Sequence, residues 1–228
     1  MLKKNILITG TSSGLGKYLK KKFDSCSFDR DKKFLFYKKK KWKLVIHCGF
    51  YNGTDKEKFL ESIQTSKKIT SLNTKKIIFI SSLIIYDKKE SLYKKSKIIS
   101  ENFFKNKKNS YIIRLGALVG SEMRRNTISK ILYDRKPKIG LSEKSRYSFI
   151  HYDEVYCLIN EIIKQKKIMI TDFFRRDFVT LKKIGNILKK KIKFGNFLFN
   201  CVDAPYKRKI DFYNIIKKQS SIDIIKKL

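Results

Sequence analysis

The chain has 228 residues, 42% of them hydrophobic, and carries 55 Lys and Arg against 20 Asp and Glu, a formal net charge of +35. Length and apolar content fit one generous domain with a real core, or one domain with a small appendage, and exclude a disordered chain. No apolar stretch is long enough to span a membrane, and Cys26, Cys48, Cys157 and Cys201 are too scattered for a zinc site or a disulfide framework, so no metal and a reducing cytoplasm are expected.

The charge has two readings. Taken literally, it points to a nucleic acid or an anionic membrane surface. However, lysine is spread through nearly every segment, together with Ile, Asn, Phe and Tyr, all residues with A/T-rich codons. No aromatic–basic interleaving of the single-strand-binding kind stands out. The basic surface therefore reads as compositional, and no nucleic-acid partner is expected.

In chain order, Met1 to Lys4 followed by Asn5 to Ile8 faintly imitates a secretion signal, but the apolar run breaks at Gly10. Asn5 to Thr9 is instead a first strand. It runs into Gly10-Thr11-Ser12-Ser13-Gly14-Leu15-Gly16, a turn whose glycines let a phosphate approach the backbone. An amphipathic helix follows over 15–24, and its N-terminus offers free N–H groups and a positive dipole end to an anion. Ser25 to Asp29 reads as a second strand ending in Asp29-Arg30. There an acidic residue would accept hydrogen bonds from an adenosine ribose, whereas an arginine would suit a 2′-phosphate. Residues 31–41 are short and very basic. Lys43 to Cys48 is a third strand, ending at Gly49, and 55–72 a helix. Lys76 to Ile80 is a fourth strand with Ser81 and Ser82 at its end, 92–107 a helix, and Tyr111 to Arg114 a fifth strand. Alternating strands and helices predict a mostly parallel, doubly wound α/β sheet with its ligand at the carboxyl ends of the strands. Gly10, Asp29, Gly49, Ser82 and Gly116 all fall at such ends. From about residue 120 the texture changes to helical patches at 126–134, 153–166, 179–191 and 209–218, joined by strand-like pieces around 147–152 and 167–171. This predicts a dinucleotide domain over 1–120 and a small α/β substrate lobe over 121–228.

Tyr93 and Lys97 lie four apart, on one face of the helix after the fourth strand. An ammonium near a phenol favours the phenolate and lowers the phenol's pKa, which suits acid/base work. Ser82, at the end of the adjacent strand, is placed to bond the same substrate oxygen.

In this order the pieces resemble the short-chain dehydrogenase/reductase superfamily, and more closely its extended branch, the NAD-dependent epimerase/dehydratase family acting on nucleotide sugars. The matching stretches are Ile8 to Gly16, Leu44 to Gly49, Phe79 to Tyr86, Leu92 to Lys97 with Glu101, Ile113 to Gly120, and Phe149 to Val155. The resemblance implies a Rossmann-type fold and a cytoplasmic NAD(P)-dependent oxidoreductase or epimerase, with NAD as cofactor and NADP left open. It makes Tyr93 the acid/base, Lys97 the ribose ligand that tunes it, and Ser82 the holder of the reacting oxygen. Gly10 to Gly16, Asp29, Arg30, Cys48, Gly49, Ser81, Tyr93 and Lys97 would line the cofactor, and Ser82, Arg124, Arg125 and Arg146 the substrate. The implied function is epimerisation or ketoreduction of a nucleotide sugar in surface-polysaccharide or deoxysugar synthesis. The rival is a non-catalytic relative that senses a dinucleotide or binds RNA. His47 reads as a wall residue, and His151 and Asp153 as packing and cap residues, with Asp153 the N-cap. The family often forms homodimers through a helix bundle that includes the Tyr-Lys helix, which leaves a homodimer open here, although the lysines of that helix weigh against close pairing. Three departures stand out. The Gly10-x-x-x-Gly14-x-Gly16 spacing is that of the non-extended branch. The stretch after Asp29 is too short for the usual helix. Leu83-Ile84 replaces the extra acid/base residues of dehydratases, so dehydration is not expected.

Overall fold

Short runs of Ile, Val, Leu and Phe without a polar face are what strands covered on both sides require. In the computed structural model, which describes residues 5–29, 32–121, 123–165, 170–200 and 219–228, these runs are strands separated by helices. The first half runs β1 (Ile6–Thr9), α1 (Gly14–Lys22), β2 (Cys26–Ser27), α2 (Phe34–Lys38), β3 (Leu44–His47), α3 (Lys56–Thr70), β4 (Ile77–Ser82), α4 (Leu92–Lys105) and β5 (Ser110–Leu115), with a single 3-10 turn at Leu83–Tyr86. The second half runs β6 (Ala117–Val119), α5 (Thr127–Tyr133), β7 (Lys138–Leu141), β8 (Arg146–Tyr147), β9 (Phe149–His151), α6 (Tyr152–Lys164), β10 (Ile170–Phe173), β11 (Val179–Thr180), α7 (Leu181–Ile187), β12 (Lys193–Phe197) and α8 (Ser221–Lys226).

Six strands form one parallel sheet in the order β2-β1-β3-β4-β5-β10. Successive residues of each strand point to opposite faces. Ile8, Ile46, Ile78, Ile80 and Ile113 meet α1 and α6 through Leu15, Leu19, Val155, Leu158 and Ile159. Leu7, Val45, Ile77, Phe79 and Ile112 meet α3 and α4 through Phe59, Ile69 and Phe104. This is the Rossmann-type α/β arrangement expected. A third apolar cluster, with Ile128, Ile131, Phe149, Leu181, Ile184 and Ile224, holds the small C-terminal α/β part together. Among the described residues no helix is long and apolar enough to cross a membrane.

Several elements differ from expectation. The second strand is only two residues long. The Phe28 N–H still bonds the Ile8 carbonyl (2.8 Å), but the Asp29 N–H turns to the Tyr37 hydroxyl (2.7 Å). The basic stretch after it does hold a helix, the short α2, because Tyr37 buries its ring against Phe28. The strand expected near 167–171 is β10, and it joins the main sheet beside β5 instead of the lobe. The N-cap of α6 is His151, not Asp153. Its Nδ1 accepts from the Asp153 N–H (3.2 Å), and Glu154 Oε2 accepts from the His151 N–H (2.9 Å). The pairing of β7 with β12 and the helix α8 were not foreseen. The helix expected at 209–218 lies outside the described residues.

Candidate active site

In the sheet, β1 has β2 on one side and β3 on the other, so a crevice opens beyond the carboxyl end of β1. The turn from β1 into α1 is drawn tightly against that end. A Cβ built on Gly16 would lie 2.2 Å from the Gly10 carbonyl oxygen, so any side chain there would push α1 off the sheet. Gly14 has φ +58, a left-handed conformation that favours glycine, and its bare side faces the crevice. The turn is tied to the end of β3 by the Gly49 N–H, which donates to Thr9 Oγ1 (2.9 Å). His47 is buried behind it, bonded to Thr9 Oγ1 (2.7 Å) and Ser66 Oγ (3.0 Å), and does not line the crevice. The side chains of Asp55, Ser91, Asn126, His151, Thr180 and Ser220 cap α3 to α8, but Ser13 makes no such bond at the start of α1. The first N–H groups of α1 are therefore left without a side-chain cap at the crevice.

A cavity of about 230 Å3 occupies this crevice. Of the residues expected in the site, Gly14, Leu15, Gly16, Cys48, Ser81, Ser82, Tyr93, Lys97 and Arg124 line it. Ser82 ends β4, accepts from the Ile84 N–H (3.2 Å) and lines the cavity with Tyr93. Lys97 is 3% exposed. Its Nζ donates to the Ile80 carbonyl (2.9 Å) and stands 4.0 Å from the centre of the Phe50 ring, 4.9 Å from that of Phe79 and 5.7 Å from that of Tyr93. Burial among these rings brings its pKa down to about 7.

The electrostatics differ from expectation. Burial raises the Tyr93 pKa, and what opposes the rise is the Arg124 charge and the neighbouring Ser82 hydroxyl, not Lys97. The reason is that Lys97 is itself stripped of water and turned to a backbone carbonyl. Burial likewise pushes the Cys48 thiol up to about 12, so it is a neutral wall. The Ser81 hydroxyl donates to Glu101 Oε1 (2.7 Å), and Glu101 holds Arg114 through two bonds of 2.9 and 2.6 Å. Arg114 also donates to the Tyr86 hydroxyl (2.6 Å), which donates to Asp172 Oδ2 (2.8 Å). This network ties the ends of β4, β5 and β10 to α4 directly behind Ser82.

Other expected residues do not meet in the cavity. Gly10 and Gly49 pack against each other and, like Thr11, Ser12 and Ser13, do not line it. Asp29 sits at the end of β2 beside Tyr37, and Arg30 lies outside the described residues. Arg125 is exposed and paired with Asp134 (2.9 Å). Arg146 is exposed, 5.9 Å from the centre of the Phe178 ring. Conversely, Phe50, Asn52, Asn126 and Tyr152 line the cavity without having been singled out. Tyr152 adjoins His151 in a stretch read only as packing and cap.

No protein-family model and no curated protein sequence matches the chain. Solved structures do. One is the NAD-dependent NDP-hexosamine 5,6-dehydratase TunA, involved in tunicamycin biosynthesis, with TM-score 0.76 and 11% identity over 98% of this chain and 95% of that one. A second is the dTDP-4-dehydrorhamnose reductase of Bacillus anthracis in complex with NADP, with TM-score 0.72 and 15% identity over 100% and 98%. A third is MoeE5 in complex with UDP-glucuronic acid and NAD, with TM-score 0.71 and 12% identity over 86% of each chain. At such identities the likeness is one of fold: the chain shares the Rossmann-type α/β fold of these NAD- and NADP-binding enzymes.

Proposed function

We propose that the protein is an NAD(P)-dependent epimerase or ketoreductase acting on a nucleotide sugar, in surface-polysaccharide or deoxysugar synthesis. The observation that carries this is the meeting of the Ser82 hydroxyl, the Tyr93 phenol and buried Lys97 in one cavity, beside a glycine turn and an uncapped helix N-terminus. The residues fit a dinucleotide. Gly14 turns its bare side to the cavity where a side chain would stand, and the α1 N–H groups suit a phosphate. Asp29, with Arg30 next to it, would meet the adenosine ribose, and Cys48 and Gly49 would flank the cofactor.

When bound, NAD(P) supplies the hydride acceptor or donor. Tyr93 moves the matching proton at the substrate oxygen, and its raised pKa keeps that proton on the phenol until the substrate arrives. Ser82 hydrogen-bonds the same oxygen. Lys97 positions the reacting groups from within its aromatic walls, and Phe50 and Phe79 keep water from it. Among the described residues no carboxylate lines the cavity, and Leu83 is buried against Phe174, so nothing here supplies the extra acid or base of a dehydration.

The test is turnover of a panel of UDP- and dTDP-sugars, following NAD(P)H absorbance and product stereochemistry. Net NAD(P)H consumption identifies a reductase, and inversion without net consumption an epimerase. Tyr93→Phe should lower kcat by about 10²–10⁴-fold while the variant still binds NADH. Turnover that survives in Tyr93→Phe would end the catalytic assignment and leave a dinucleotide-binding relative.

A further inference from the structure

Two cavity residues carry none of the protons transferred above, and both face Gly14. Tyr152 opens α6 and is 3% exposed. Its ring lies against Gly120, whose own Cβ would come within 2.4 Å of it, and against Tyr18 at 5.5 Å between ring centres. This seat directs the hydroxyl over the glycine turn, 3.2 Å from where a Gly14 Cβ would be. Among the described residues that hydroxyl has no hydrogen-bond partner, although the side chain is buried. Burial pushes its pKa up to about 12, so it stays a donor at any ordinary pH.

Arg124 reaches the same place from the loop between β6 and α5. Its Cγ and backbone N stand 3.7 and 3.9 Å from the same Gly14 position, and its Nη1 donates to the Phe50 carbonyl (3.2 Å) across the mouth of the cavity. Among the described residues no carboxylate pairs with Arg124, and none lines the cavity. Its charge is felt by Tyr93, Cys48, Lys97 and Tyr152 alike. A hydroxyl donor, a guanidinium and the uncapped start of α1 thus converge on one glycine, with no anion from the protein to meet them.

We infer that Tyr152 and Arg124 bind the pyrophosphate of the dinucleotide from the side opposite α1, closing the second half of the chain over the cofactor. The inference rests on the NAD(P) reading above, and it moves Arg124 from the substrate's phosphates to the cofactor's. The position over Gly14 decides between them, because that turn is where the backbone lets a dinucleotide phosphate approach.

The experiment measures binding of NADH, ADP, adenosine and UDP to the full chain and to Tyr152→Phe, Arg124→Gln and Arg135→Gln. Tyr152→Phe keeps the ring, Arg124→Gln changes an exposed side chain, and exposed Arg135 controls for loss of one charge. Arg124→Gln should weaken NADH and ADP about tenfold or more, and Tyr152→Phe about three- to tenfold, with adenosine and UDP unaffected. Arg135→Gln should bind like the parent. Variants that bind NADH and ADP as the parent does, a loss confined to UDP, or an equal loss in Arg135→Gln would each overturn the inference while leaving the cofactor reading intact. A parent chain that binds neither NADH nor NADPH would overturn both.

Discussion

Lys97 shows how a single residue couples the site to the stability of the fold. Its ammonium is held among Phe50, Phe79 and Tyr93 with one carbonyl partner, and desolvation brings its pKa from 10.5 to about 7. The unfolded chain keeps this lysine protonated up to about 10, so between those values the unfolded state binds the extra proton. Stability contributed by this site therefore rises with pH above 7. Below 7 the folded state must hold the charge without water, at a cost to the fold. Cys48, whose thiol is pushed up to about 12, acts in the opposite sense above its ordinary value of 9. The clean window is thus about pH 7 to 8.5. Chemical denaturation of the parent and of Lys97→Met across that window should show the parent gaining stability relative to the variant as pH rises. A difference that stays flat would mean that Lys97 is hydrated in solution.

At the scale of elements, the turn between β1 and α1 separates two roles that glycine plays in one loop. Gly16 is a packing contact, because its Cβ would lie 2.2 Å from a backbone oxygen that cannot rotate away. Gly14 is a surface of the site. Its Cβ would meet the movable Tyr152 hydroxyl at 3.2 Å, although φ +58 adds strain for any side chain. Gly16→Ala should cost about 2–3 kcal/mol and lower Tm by roughly 5–10 °C. Gly14→Ala should lose less stability and more NADH affinity, and Gly140→Ala, with nothing within 4 Å, should be tolerated. Thermal melts and NADH titrations of the three variants check this, and equal melting losses in Gly16→Ala and Gly140→Ala would refute the packing role. The turn was legible because its signal is local: a strand, three glycines and a helix within a dozen residues. Ser82, Tyr93 and Lys97 were legible for the same reason, since one strand end and one helix face carry them. The position of Tyr152 was not, nor was the place of Arg124 over Gly14 (it was expected only against the substrate), because both depend on how the second half of the chain folds back over the first. Nor was the pairing of β7 with β12, which joins Lys138 to Lys193 across a long separation and has exposed lysines at its start. The sign of the Tyr93 shift escaped for another reason: spacing shows which groups are neighbours, but not whether water reaches them.

For the whole molecule, a boundary near residue 120 divides the sequence but not the interior. The apolar layer beneath α1 contains Ile8, Ile46 and Ile113 from the first half, and Ile150, Val155, Leu158 and Phe173 from the second. β10 extends the sheet beside β5, with Ile170 opposite Ile112 and Phe173 opposite Leu115, and Arg114 faces Asp172 at 3.5 Å. Removing the second half would bare that face of the sheet and leave Arg114 without one of its carboxylates, so the two halves should unfold together. The single tryptophan, Trp42, is 1% exposed and belongs to the opposite apolar layer, which makes it a reporter for the first half. Hydrogen exchange of α5 and α7, which bury Ile128, Ile131, Leu181 and Ile184 in the third cluster, reports on the second. Denaturation followed by Trp42 fluorescence and by exchange of those two helices should give coincident midpoints, as a cooperative two-state unit requires. If α5 and α7 exchange at denaturant concentrations where Trp42 is still native, the second half opens independently. In that case Tyr152 and Arg124, which belong to it, would reach Gly14 only when it closes, and cofactor affinity would fall in step with that opening rather than with global unfolding.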